Sequence, residues 1–230
     1  MWHIFSMQDN VSCHFYLLQI IAIFAFATTT SSSSSSSFHI KCQNDTQQGP
    51  FEFTWQYPFR LEDSHFKFTQ CNGTQFNTHP YGDYSAPSQF FVFVGVMAFL
   101  YCIGAVILYV CFDDHYRKFD KIPMFDFVAT CVFVLLWLIS SSAWATGVAD
   151  IKLYTNPLEF QVDIVPECRN NQCVVDKHGN YASLNVSIIF GYLNMCVWAA
   201  NLWFLYKETK WFKVATEHPD TSPSDIPQKV

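Results

Sequence analysis

The stretch Phe127–Gly147, "FVATCVFVLLWLISSSAWATG", carries no charged residue and no proline. About 20 such residues, rising ~1.5 Å each, cross a hydrocarbon core of ~30 Å as one helix. Yet the run ends in three consecutive serines, Ser140 to Ser142, and then Trp144. Serine in a helix can bond back to a carbonyl one turn earlier, so it costs little in lipid. Its small size also lets a neighbouring backbone come close. The stretch therefore reads as a membrane helix made to pack against another helix. Trp144 is expected to anchor at the interface, its N–H toward the headgroups.

The rest of the chain agrees. Half of its 230 residues are apolar, 18% are aromatic and 24 are Phe. Only 14% are charged, against about 25% in soluble domains. The net charge of −6 comes with no basic patch, which excludes a nucleic-acid partner. Three segments qualify as spans: 89–112, 124–149 and 184–206. A fourth, 13–30, is weaker. Its short apolar run ends in Ala25-Phe26-Ala27, the small-x-small pattern of a signal-peptidase site. The absence of Lys or Arg before it favours a retained helix. The expected fold is an all-α membrane protein: a four-transmembrane-helix bundle over 13–206, with lumenal loops at 31–88 and 150–183. Residues 1–12 and the tail 207–230 flank it.

Orientation follows from basic residues, which stay cytosolic near helix ends. Arg117, Lys118 and Lys121 crowd the tight 113–123 link, and Lys207, Lys210 and Lys213 follow the last span. Both Cys-bearing loops then face the lumen. Cys42 and Cys71 share the first, Cys168 and Cys173 the second. An oxidising compartment favours disulfides among them. Pairing within each loop is the simplest arrangement, and pairing across the loops stays open. A zinc site is disfavoured, because Cys168 and Cys173 have no second pair at ligand spacing. Sequons at Asn44 and Asn72 fall in the first loop and are the expected glycan sites. Asn185 lies at the mouth of the last span, and Asn10 is cytosolic if the first helix is retained. Cys13 and Cys111, near the cytosolic face, are candidates for palmitoylation.

Small and polar residues recur at helical spacing. Gly95, Ala98, Cys102 and Ala105 form one stripe; Ser140, Ala143 and Gly147 form a second. Ser187, Gly191, Asn194, Trp198 and Asn201 form a third. Such stripes are how helices pack in lipid, where no hydrophobic force drives them together. A polar path lined by Ser140, Asn194 and Asn201 is the sharper alternative. Asp126, the one acidic residue in the apolar spans, is expected to cap its helix rather than carry protons. No phosphate loop, HExxH, GxSxG or paired-Cys redox motif occurs. The expectation is a non-enzyme with neither cofactor nor metal.

Several ordered strings then point to a family: "IFAFAT" (23–28), "YPFRL" (57–61), "GDYS" (82–85), "FLYCIGA" (99–105), "PMFDFVAT" (123–130), "SSSAWA" (140–145), "LNVSIIFGYLN" (184–194) and "NLWFLYKET" (201–209). Together they resemble the synaptophysin family of four-helix vesicle proteins with a MARVEL-type membrane domain. The short tail resembles those of pantophysin-like members. The resemblance implies disulfides within each loop, a glycosylated first loop, cytosolic termini and homo-oligomers in vesicle membranes. It also implies association with cholesterol and with a v-SNARE (synaptobrevin), in vesicle formation, trafficking and exocytosis. The rival readings are an oligomeric channel or transporter, and a junctional or adhesion protein.

Overall fold

The computed structural model describes residues 2–42, 46–111, 121–157, 165, 168 and 172–208. Four helices dominate: α1 (Trp2–Thr30), α2 (Ser85–Cys111), α3 (Lys121–Thr155) and α4 (Ala182–Glu208). They pack as a ring, α1 on α2, α2 on α3, α3 on α4, and α4 back on α1. Among the described residues, Ser85–Leu108, Met124–Thr155 and Ala182–Trp203 are long and apolar enough to cross a membrane. The apolar part of α1, Tyr16–Thr30, is shorter.

These helices turn small residues inward and large apolar ones outward. On α2, Gly95, Ala98, Cys102 and Ala105 are all buried, while Phe93, Met97, Leu100 and Ile107 are exposed. Lipid is as apolar as leucine, so contact between helices rests on close packing, which favours small side chains at the seam. On α1 the inward line is Leu18, Ala22, Ala25 and Thr29.

The all-α expectation is corrected in the loops, whose described residues hold five strands. They are β1 (Ser33–Lys41), β2 (Gln47–Gln56), β3 (Phe66–Thr69), β4 (Gln75–Thr78) and β5 (Cys173–Lys177). The main sheet has the order β2-β1-β5 with antiparallel pairing, and β3 and β4 form a separate hairpin. The poly-serine tract thus lies in the central strand. On one side Ser34 to Phe38 pair with Trp55 to Phe51; on the other Ser37 to Ile40 pair with Lys177 to Cys173. β2 pairs along the tract, and β5 closes the other edge only from Ser37 to Ile40, where the backbone groups are satisfied on both sides. Serine has no strong strand preference of its own, so tertiary context decides here. β2 supplies the apolar alternation, with Phe53 and Trp55 buried and Thr54 and Gln56 exposed. Phe38, Ile40, Phe53, Trp55, Phe66 and Phe68 form its core, with Phe53 and Phe66 stacked at 5.4 Å.

β1 belongs to the first long loop and β5 to the second, so one sheet joins both loops. The disulfides stay within each loop: Cys42–Cys71, with Cα atoms 5.6 Å apart, and Cys168–Cys173, 4.8 Å apart. The connection across loops is made by backbone hydrogen bonds rather than by sulfur. Asn72 is exposed at the turn between β3 and β4, where its Oδ1 accepts from the Thr74 N–H at 2.9 Å. Asn44, Arg117, Lys118, and the tail beyond 208 lie outside the described residues.

Peptide mapping without reductant is expected to recover Cys42–Cys71 and Cys168–Cys173 and no cross-loop pair. The double substitution Cys42→Ser/Cys71→Ser is expected to lower stability by about 2–5 kcal/mol in a detergent melt.

Candidate functional site

The sheet meets the bundle along one seam, built by segments distant in sequence. α3 is 35 residues long, or about 52 Å at ~1.5 Å per residue. That exceeds what a bilayer core requires, and its C-terminal turns reach the sheet. There Ser36, fully buried on β1, donates to the Thr155 carbonyl at 3.2 Å. Thr155 Oγ1 donates to the Ile151 carbonyl at 2.6 Å and lies 2.8 Å from the Tyr181 hydroxyl. The Tyr181 ring stacks on Trp55 at 5.7 Å, and burial pushes its phenol pKa up. Ser32 and Ser183 both donate to the Thr28 carbonyl, at 2.5 and 2.7 Å. Ser34 accepts from the Asn180 N–H and Ser35 from Lys177 Nζ, each at 2.8 Å. The hydroxyls of Ser32, Ser36, Thr155 and Ser183 supply the donors that these carbonyls need at the helix ends.

A second part of the seam interlocks residues 57–61 with 82–88. The Leu61 N–H donates to the Gly82 carbonyl and the Tyr84 N–H to the Phe59 carbonyl, both at 3.0 Å. Ser88 Oγ donates to the Pro58 carbonyl at 3.0 Å. Phe59 sits at φ 67° and Gly82 at φ 104°. The left-handed region costs a non-glycine residue of order 1 kcal/mol, and surrounding structure must hold it there. Asp83 Oδ1 accepts from the Ser85 N–H at 2.9 Å and so caps α2. Its Oδ2 lies 3.6 Å from Arg60 Nε. The bonds to Ser85 hold the Asp83 carboxyl below its ordinary value of 3.8, and Arg60 adds to the effect. Burial, with Asp150 and Tyr154 nearby, pushes Tyr84 up to about 12.

Trp144 ties this lock to the bundle. It is fully buried, and its Nε1 donates to Ser187 Oγ on α4 at 2.8 Å. Its ring packs on Phe59 at 5.3 Å and on Phe91 of α2 at 6.3 Å. The expected interfacial anchor is thus corrected: Trp144 points into the protein because Ser187 supplies the acceptor and Phe59 covers it. One turn below, Gly191 leaves room for α3 and α2 side chains against the α4 backbone. A Cβ there would lie 2.5 Å from Ser141 Oγ and 2.7 Å from the Phe91 ring. The serine run is therefore divided: Ser140 and Ser141 are buried, and Ser142 is exposed and bonds back to the Leu138 carbonyl at 2.8 Å.

The expected stripes fall as follows. Ser187, Gly191, Asn194, Trp198 and Asn201 are all buried on α4. On α3 the buried line runs Trp137, Ser141, Trp144, Val148, Ile151, with Ser140 and Gly147 beside it and Ala143 half-buried at its edge. Asn194 Nδ2 donates to the Phe190 carbonyl at 2.9 Å. Buried Thr130 Oγ1, Trp137 Nε1, Ser141 Oγ, Asn194 Oδ1, Trp198 Nε1 and Asn201 Nδ2 have no hydrogen-bond partner among the described residues. The capping role expected of Asp126 is corrected: α3 begins at Lys121, and Asp126 is buried in its second turn, accepting from the Tyr101 hydroxyl of α2. Among the described residues no cluster of three or more His, Cys, Asp or Glu is placed to hold a metal. These contacts hold the sheet to the helix ends and α3 to α4.

Substituting Trp144→Ala is expected to cost about 3–5 kcal/mol, and Ser187→Ala, which orphans the buried Nε1, about 1–3 kcal/mol, in chemical melts. Asp83, with its lowered pKa, contributes stability above its ordinary value and loses it as pH falls through the lowered one. Asp83→Asn is expected to flatten that acid limb in a pH series of melts.

The family model for MARVEL, the membrane-associating domain, matches residues 13–204.

Proposed function

The chain belongs to the MARVEL family of membrane-associating domains, and from that premise we propose that it is a non-enzymatic, four-span protein of secretory or synaptic-like vesicles. It is a membrane-associated protein by its family and its apolar helices. In this proposal α1 is retained as the first span and both termini lie in the cytosol. The sheet domain is lumenal and carries glycans at Asn44 and Asn72. The protein self-associates in cholesterol-containing membrane and organises vesicle lipids and v-SNARE proteins of the synaptobrevin kind.

One observation supports this reading above others. The strings "YPFRL", "GDYS" and "SSSAWA", on which the synaptophysin resemblance rests, come from three distant segments yet meet in a single seam. Phe59 lies on Trp144, and Arg60 pairs with Asp83. The burial of α1 residues Leu18, Ala22, Ala25 and Thr29 supports retention, since cleavage would bare the faces of α2 and α4. The channel rival loses ground for a related reason. Ser140, Asn194 and Asn201 are buried inside one bundle and not on a face that several copies could line.

The test is microsomal insertion with an N-terminal tag, followed in cells by localisation. Expected are a glycosidase-sensitive form lost in Asn44→Gln/Asn72→Gln, a retained tag open to cytosolic protease, and confinement to small vesicles. A cleaved tag, or residence only at cell contacts, contradicts the proposal.

A further inference from the structure

We propose that the β3–β4 hairpin carries a divalent-metal site for zinc, with His65 and His79 as its protein ligands. The two residues are the next cross-strand pair beyond Phe66 and Thr78, the terminal registered pair of the hairpin. Their rings stand 5.2 Å apart between centroids at an interplanar angle of 90°. Two imidazoles bound to one tetrahedral zinc, with Zn–N at about 2.0 Å, place their ring centres about 5 Å apart. That separation, also that of an ordinary edge-to-face pair, is one from which both rings reach a shared ion by turning about their side-chain bonds.

The tautomer of His79 fits as well. Its Nδ1 lies 3.0 Å from the Pro80 carbonyl oxygen. A carbonyl only accepts, so Nδ1 carries the proton, and in the neutral ring the lone pair is on Nε2. Metal-bound histidines are commonly fixed this way, donating the second ring N–H to a backbone carbonyl while the other nitrogen ligates. His65 is exposed and its ring makes no hydrogen bond to another described residue. No third His, Cys, Asp or Glu joins the pair among the described residues. Water then completes the shell, which makes the site open and exchangeable rather than a structural one. Imidazole pairs select zinc, copper and nickel over magnesium and calcium, which prefer oxygen. Nothing in this site depends on the vesicle reading.

The test is calorimetric titration of the full chain in lipid nanodiscs, with any affinity tag removed, using zinc chloride and, separately, magnesium chloride. Expected is saturable binding of one zinc and none of magnesium. His65→Ala and His79→Ala each weaken zinc binding roughly tenfold or more, since losing a ligand costs at least what losing an outer-shell partner does. Their thermal melts without metal match that of the parent. His65→Gln, which keeps size and polarity, weakens binding equally. Absence of saturable zinc binding overturns the proposal. So does binding that the single substitutions weaken less than that, or that persists in the double variant, because the metal then sits on other residues.

Discussion

The buried indole of Trp144 is the contact on which the rest of the structure depends. Its N–H must find an acceptor once it leaves water, and Ser187 on α4 supplies it. Its ring surface must be covered, and Phe59 from the first loop and Phe91 from α2 cover it. Three helices and one loop are thereby fixed relative to each other around a single side chain. The close approach that lets α4 reach Ser187 requires Gly191 against Ser141. The placing of Phe59 requires a left-handed backbone, held by the Leu61–Gly82 and Tyr84–Phe59 hydrogen bonds. The part of the seam between 57–61 and 82–88 holds the residue that covers Trp144.

This constraint explains why the loops fold. A loop of polar and aromatic residues above a membrane could remain a solvated tether. Here the first loop delivers β1 to β5 of the second, and both are held to α3 through Ser36 and Thr155. The sheet domain and the bundle therefore share a continuous buried cluster running from Phe38 and Trp55 through Phe59 to Trp144 and Trp198. Disulfides within each loop staple its local geometry, and the sheet supplies the coupling between loops.

Much of the bundle was legible in the sequence because lipid imposes simple rules. Apolar length marks spans, and small residues at helical spacing mark contact faces, as Gly95, Ala98, Cys102 and Ala105 do. The sheet was harder to read. The alternation of Phe51, Phe53 and Trp55 has the period of a strand, and Phe66 with Phe68 repeats it. Poly-serine has no such signal, since its strand is selected by what surrounds it: helix ends that need hydroxyl donors and the β2 strand beside it. Pairing between β1 and β5 spans more than a hundred residues and leaves no local trace. Trp144 misled because a Trp near a span end usually sits at the membrane interface. Its partner, Ser187, lies 43 residues away. Asp126 misled because its helix begins earlier than the apolar run, which places it inside the second turn against Tyr101.

The most direct measurement is hydrogen exchange of the backbone amides of Ser37–Lys41, the part of β1 paired on both edges, in the native, membrane-embedded chain. If the poly-serine tract is the central strand of a sheet locked to the bundle, those amides exchange only through cooperative opening, as slowly as amides in the middle of α3. Exchange at the rate of an unstructured peptide, with α3 still protected, would contradict the account, because the loops would then be tethers and Trp144 would lack the cover of Phe59.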